Sequence, residues 1–166
     1  MAAEYSFDVI SKYDLSKIIN ATEQAQREIN NRYDFAGTDS SIVFDKDKHL
    51  IVINSDSKLK VEAAVTVLEQ KMVKAGLDLR LIDKGTEAKE MGLGRVKQDI
   101  SLINGLSSDR AKEVSAWIRN NFSKAKSSIN ADKVRVSSPS KDVLQEIISR
   151  IKSASFDYPL DIENLR

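Results

Sequence analysis

Two four-stranded antiparallel sheets, each carrying two helices on one face, make up the α+β architecture that this sequence predicts. Three observations carry the reading. Short stretches that alternate apolar and polar residues are separated by longer stretches with apolar residues at helical spacing. The order strand-helix-strand-strand-helix-strand occurs twice along the chain. The 166 residues are 41% hydrophobic, enough to build the core of one ordinary domain or of two small ones.

The first strand is Ser6–Ser11, with Phe7 and Val9 on one face and Asp8 and Ile10 on the other. Asp14 is placed to cap a helix that runs to about Tyr33, with Leu15, Ile18, Ile19, Thr22 and Ile29 on its apolar stripe. Gly37 breaks the chain. Ser41–Asp45 and His49–Asn54 alternate around the polar turn Asp45-Lys46-Asp47-Lys48 and read as a hairpin. Ser55-Asp56-Ser57 offers caps for a second helix, striped by Val61, Ala64, Val65, Leu68 and Met72 and ended by Gly76. A short strand follows around Leu79–Ile82.

After the glycine-containing stretch that closes at Gly94, the pattern returns. Arg95–Ile103 alternates as a strand, and Ser107 or Ser108 caps a helix carrying Ala111, Val114, Trp117, Ile118 and Phe122. Lys126–Asn130 and Lys133–Ser137 form a hairpin around Ala131-Asp132. Ser138-Pro139 opens the last helix, whose buried stripe is Val143, Leu144, Ile147, Ile148 and Ile151. Phe156–Ile162 is the last strand, held to an edge or a strand end by Pro159. The βαββαβ order is that of the ferredoxin-like split βαβ unit, so the chain reads as a tandem of ferredoxin-like, ribonucleoprotein-like domains. The expected boundaries are residues 1–84 for the first domain, 85–94 for a connector and 95–166 for the second. The terminal strands Ser6–Ser11 and Ser155–Ile162, which both begin Ser-Phe-Asp, are able to exchange between the sheets.

Composition narrows the chemistry. Lys and Arg total 26 against 25 for Asp and Glu, so a net charge of +1 gives no global attraction to nucleic acid. The absence of cysteine excludes disulfides, thiolate metal sites and cysteine nucleophiles. Met1-Ala2-Ala3-Glu4-Tyr5 does not resemble a signal peptide, and no apolar run approaches the roughly 20 residues of a membrane span, so a cytoplasmic protein without a membrane anchor is expected. His49 is the only histidine, which leaves no partner for a metal site or a proton relay, and no Gly-x-Ser-x-Gly setting surrounds any serine. Asp45 and Asp47 sit in a turn, where solvation explains them. Gly92-Leu93-Gly94 with Gly85 matches no phosphate-binding loop and reads as a connector. The expectation is a binding protein that is not an enzyme and has no cofactor or metal.

Two groups of residues are candidates for binding. With Val134, Val136, Val96 and Ile100 facing inward, Lys133 and Arg135 on one strand and Arg95 and Lys97 on another face outward. The first and third strands of this topology are its central ones, so Arg95, Lys97, Lys133 and Arg135 are expected to be neighbours in a patch suited to phosphate. Strict alternation puts Gln98 on the helix side. The second group is Arg32-Tyr33-Asp34-Phe35 at a helix end, where Tyr33 and Phe35 pack and Arg32 and Asp34 offer bonds to a phosphate and a base edge. The third strands, His49–Ile53 and Lys133–Ser137, lack the aromatics on which RNA-recognition sheets stack bases.

The sequence resembles the YajQ family of bacterial cytoplasmic proteins. The resemblance rests on Ser6-Phe7-Asp8-Val9-Ile10-Ser11-Lys12 with Asp14-Leu15, on Arg32-Tyr33-Asp34-Phe35, and on Lys97-Gln98, Gly105-Leu106 and Ala111-Lys112. Val134-Arg135-Val136, Asp142-Val143-Leu144-Gln145 and Pro159-Leu160 extend it through the second half. It implies tandem ferredoxin-like domains and nucleotide binding, with nucleic acid the ligand in some members and cyclic di-GMP in others, and no settled enzymatic activity. The sequence departs from the family pattern at Ser128–Asp132, at Ser137–Lys141 and at Asp161–Leu165, which removes positive charge and stacking surface from the second unit. The expected function is therefore binding of a nucleotide, cyclic dinucleotide or short single strand. The alternative is a protein-interaction adaptor that uses open sheet faces or edges and has no nucleotide ligand.

Overall fold

The computed structural model describes residues 4–85 and 88–166. In chain order the elements are β1 (Tyr5–Ile10), α1 (Leu15–Asn31), β2 (Ser41–Asp45), β3 (Leu50–Ser55), α2 (Lys58–Lys74), β4 (Ile82–Asp83), β5 (Lys89–Gly92), β6 (Arg95–Leu102), α3 (Ser108–Asn121), β7 (Lys126–Asn130), β8 (Lys133–Ser138), α4 (Lys141–Ser153) and β9 (Asp161–Glu163). The helices start where short polar side chains satisfy the free N–H groups of a first turn. Asp14 accepts from the Lys17 N–H, Ser57 from Lys60, Ser107 from Arg110 and Ser140 from Val143. No helix among the described residues is long and apolar enough to cross a membrane.

The chain folds as α+β, into two antiparallel sheets ordered β7-β8-β1-β9 and β2-β3-β6-β4, with β5 also paired to β6. Each has the ferredoxin-like order of fourth, first, third and second strand. In both, the strand in the first position departs from chain order: the sequence leaves exchange open for the N-terminal strand but not for Arg95–Ile103. The boundary expected from chain order put β1 with α1 and β6 with α3. Instead β1 lies between β8 and β9, and β6 lies against β3. One compact unit is therefore internal to the sequence, Tyr13–Ile103. The other, the terminal unit, combines the residues up to Lys12 with Asn104–Arg166. Alternation explains why the sequence does not distinguish these arrangements. Phe7 and Val9 of β1, like Val96 and Ile100 of β6, supply an inward apolar face, and either strand suits a central position.

In the terminal unit, hydrogen bonds stand where an ordinary βαββαβ unit has a covalent connection between its first strand and first helix. Lys12 bridges Asn104, and the Gly105 N–H donates to the Ser11 carbonyl at 2.6 Å. The Leu106 N–H then donates to the Asp132 carbonyl in the β7–β8 turn. The core beneath this sheet includes the fully buried Phe7, Val9, Val134, Val136, Ile118 and Ile147. In the internal unit, Ile18, Ala25 and Ile29 of α1 and Val61, Leu68 and Met72 of α2 close over Ile51, Ile53 and Ile100.

Three elements differ from expectation. Leu79–Leu81 is a 3-10 turn capped by the Asp78 carboxylate, and only Ile82–Asp83 pairs as a strand. The last strand is Asp161–Glu163. Phe156 and Tyr158 are buried through ring contacts with each other and with Trp117, and not through strand pairing. Within the expected connector, Thr86 and Glu87 lie outside the described residues, and Lys89–Gly92 forms β5. Leu93-Gly94, with φ of 53° and 71°, makes the two-residue turn into β6.

Candidate functional site

Alternation along β6 turns Arg95, Lys97, Asp99 and Ser101 to the helix-free face of the internal sheet, and alternation along β8 does the same for Lys133 and Arg135 in the terminal sheet. Because β1 and β6 have traded places, these cations lie on two different sheets. The expected single patch of cross-strand neighbours does not form.

The terminal pair is neutralised within its own sheet. The register sets Asp8 directly opposite both Arg135 and Glu163. Arg135 donates from Nε to Asp8 Oδ1 at 3.1 Å, and Asn164 donates to Asp8 Oδ2 at 2.9 Å. Lys133 donates to Glu163, which Lys12 also approaches at 3.3 Å. The Asn164 hydrogen bond, with the bond and charge of Arg135, holds the Asp8 carboxyl below its usual range against the opposing effect of burial. The Lys133 hydrogen bond lowers Glu163 in the same way and raises Lys133 in return. Asp8 is 4% exposed, so its ionised form needs these partners. Its folded-state pKa lies below the unfolded one, so the stabilisation is present above the ordinary carboxylate pKa and is lost as pH falls through the folded value. Asp8→Asn should cost roughly 1 kcal/mol at neutral pH, and in urea denaturation the gap to the parent should start to narrow below about pH 4 and go on narrowing as the pH falls further.

Arg95 is also engaged. Its guanidinium donates to the carbonyls of Thr38 at 2.8 Å and Asp39 at 2.6 Å, clamping the loop between α1 and β2. Arg32 and Asp34 form a two-point pair, Nε to Oδ1 at 3.1 Å and Nη2 to Oδ2 at 2.8 Å, and Arg32 lies over the Phe35 ring. The pairing raises Arg32 and lowers Asp34. It braces a 3-10 turn at Tyr33–Phe35, in which Phe35 is buried and Tyr33 is 93% exposed. The expectation that Tyr33 packs is thus corrected: α1 stops at Asn31, so Tyr33 does not continue the buried stripe of that helix. His49 shares a 2.6 Å hydrogen bond and an edge contact with the buried Tyr13.

Lys97 is placed differently. Its ammonium lies 3.5 Å from Asp99, and in register it stands directly opposite Lys89 of β5. Like charges directly opposite on one face of a sheet destabilise it. Lys89 is exposed and makes no ion pair among the described residues. The two lysines line a cavity of about 350 Å³ with Asp83, Gly85, Met91, Gln98, Asp99 and Ser101. The cavity follows from the strand layout. β5 pairs with β6 as far as Lys97, and β4 takes up pairing again at Ser101. Between them the β6 edge at Gln98–Ile100 is left without a strand partner among the described residues. Gln98 sits at this gap and donates to the Lys84 carbonyl at 3.3 Å. The lining balances two cations against two carboxylates, Asp83 and Asp99, with Asp99 turned to Lys97; Lys89 is left to meet a phosphate, and the exposed thioether and the hydrogen-bonding groups can hold an attached ring. Lys97 was legible as an outward cation. Lys89 and Met91 were missed because their segment read as a connector, although Gly92-Leu93-Gly94 before an alternating strand is a hairpin signal.

The chain is 42% identical to a nucleotide-binding protein of Synechococcus elongatus over 166 residues, covering all of both chains. Nucleotide-binding proteins of Thermosynechococcus vestitus and Trichodesmium erythraeum are 40% and 39% identical, again over the full length of both chains. Residues 5–166 match the family described as nucleotide-binding protein YajQ-like. By full-length similarity and by the family match, the chain belongs to the YajQ-like family.

Proposed function

We propose that this chain is a non-catalytic nucleotide-binding protein whose phosphate subsite lies between Lys89 and Lys97. The observation that carries the reading is the cross-strand register of these two lysines at the mouth of the cavity. An anion between them gives Lys89 a partner and shares Lys97 with Asp99, easing the like-charge pairing of the two strands. Met91, 56% exposed, offers an apolar flank for a base, and Gln98, Asp99 and Ser101 offer hydrogen bonds to a base edge or ribose. The volume suits one nucleotide better than an extended strand. The names of the full-length relatives support the ligand class.

The test is a titration of the purified chain with GTP, cyclic di-GMP and a short single-stranded RNA at low and moderate salt. Lys89→Ala and Lys97→Ala should each weaken GTP binding by about tenfold, as expected for a lost charge-assisted contact. Arg32→Ala, Arg95→Ala, Lys133→Ala and Arg135→Ala should leave it close to the parent value, because none of those side chains lines the Lys89–Lys97 cavity. GTP binding that survives both lysine substitutions, or that is lost with Arg135→Ala, would contradict the placement.

One observation favours the adaptor alternative. Leu93, at the tip of the β5–β6 hairpin, is fully exposed at positive φ, beside the exposed Met91. Absence of binding to all three ligands, with self-association that Leu93→Ser abolishes, would favour that reading.

A further inference from the structure

We infer that the free edge of β2 and the adjoining face of α1 pair with a second copy of the chain, strand to strand, once the Gln26 side chain leaves that edge. The surface shares no residue with the Lys89–Lys97 cavity. β2 ends its sheet, bonded to β3 on one side and to no strand on the other among the described residues. The Ile42 N–H points to this open side, and Phe44, two residues on, turns its N–H and carbonyl the same way. Gln26 stands where a neighbouring strand would. Its Oε1 accepts from the Ile42 N–H at 2.6 Å, and its Nε2 donates to the Ser40 carbonyl at 3.3 Å. One side-chain amide thus covers the start of the edge and leaves the backbone groups of Phe44 open. Edge strands are ordinarily blunted by lysine, proline or a bulge. Ser41-Ile42-Val43-Phe44-Asp45 pairs in regular register and has none of these, and Val43 is 54% exposed.

The surroundings fit a second copy. A groove of about 410 Å³ between the two elements is lined by Ile19, Glu23 and Arg27 of α1 and by Val43 and Phe44 of β2. Ile19 is exposed, as is Leu15 one turn before it, so apolar surface continues along the helix. The strand is complementary to itself. With a two-fold axis at Val43, Ile42 of each copy stands opposite Phe44 of the other and exchanges backbone bonds with it. Val43 then meets Val43, and Ser41 meets Asp45, so no like charges face each other. The same axis runs the two α1 helices antiparallel. Glu23 and Arg27, one turn apart and both exposed, make no ion pair among the described residues. Across the axis Glu23 of one copy reaches Arg27 of the other. An interface of one strand and one helix face is small, so the dimer is weak and depends on concentration. Gln26 holds the Ile42 N–H that the pairing needs, which makes it the guard of the edge.

The test is sedimentation equilibrium of the full chain from micromolar to millimolar concentration. The parent should show a monomer–dimer equilibrium, and Gln26→Ala, which opens the edge in both copies, should tighten it by about tenfold. Val43→Asp sets two carboxylates against each other on the axis and should abolish the dimer; Val43 is exposed, so the monomer keeps its fold. Glu23→Arg should weaken the dimer, and adding Arg27→Glu, which restores opposite charges in exchanged positions, should recover it. Leu93→Ser should leave it unchanged, which separates this contact from the β5–β6 hairpin. Several results would overturn the inference: a chain that stays monomeric even as Gln26→Ala, a dimer that survives Val43→Asp, a double charge exchange that does no better than Glu23→Arg alone, or a dimer lost with Leu93→Ser.

Discussion

Phe7→Ala, a substitution near the N-terminus, should loosen the C-terminal half of the chain. Phe7 is fully buried and stands opposite Val136 in the central strand of the β7-β8-β1-β9 sheet. Removing its ring costs the transfer of a buried aromatic and leaves a cavity, about 3–5 kcal/mol together. That loss falls on the terminal unit, which contains α3 and α4. Hydrogen exchange should show protection falling in β7, β8, α3 and α4, while α1, α2, β2 and β3 keep theirs. Ile100→Ala should do the reverse, because Ile100 is buried opposite Ile51 in the internal sheet. Had the strands followed chain order, Phe7→Ala would expose α1 and β2 first, and that outcome would refute the exchanged arrangement.

Gly105→Ala should be the most damaging substitution that adds a single methyl group. Gly105 adopts φ of 109°, which side-chain-bearing residues rarely do. A Cβ there would overlap Asp132 Oδ2 and stand 2.8 Å from the Asp132 Cβ. The crowding is at the root of the aspartate side chain, so rotation of the carboxylate does not relieve it. The same residue donates the bond to Ser11 that ties β1 to the start of α3. We expect a loss of about 2–4 kcal/mol, read as a fall of roughly 10 °C in the thermal midpoint of the terminal unit. Combining it with Asp132→Gly should restore part of the loss, because the clash goes while the backbone strain stays. An unchanged midpoint in Gly105→Ala would show that the β7–β8 turn is not held as described.

What the sequence made legible follows from the range of the interactions. Helices and hairpins announced themselves through local signals: Asp14, Ser57 and Ser107 as caps, and the polar turn before β3. Alternation also told which way side chains point. It placed Phe7, Val134 and Val136 inward and Lys97 and Arg135 outward, and the structure agrees. It put Gln98 on the helix side, where Gln98 stands opposite Ile53, an inward residue. What alternation does not encode is the sheet to which a strand belongs. The misplacement of β1 and β6 then carried over into the site, because it made Lys97 and Arg135 neighbours on paper. It also hid Asp8, 127 positions from Arg135 and yet its ion-pair partner. The buried Phe156 and Tyr158 mimicked a strand because ring packing produces the same alternation. Tyr33 was misread because a helix-end tyrosine followed by a phenylalanine looks like core, and only the turn geometry sends one inward and the other out.

Isotope-labelled chain titrated with GTP reads the position of a bound nucleotide directly from backbone amide shifts. The prediction is a saturable set of shifts at Lys89, Met91, Lys97, Gln98, Asp99 and Ser101, with Ser128, Lys133 and Arg135 unmoved. Shifts confined to β7 and β8, with the Lys89–Lys97 region silent, would place the nucleotide on the terminal sheet and contradict the central claim.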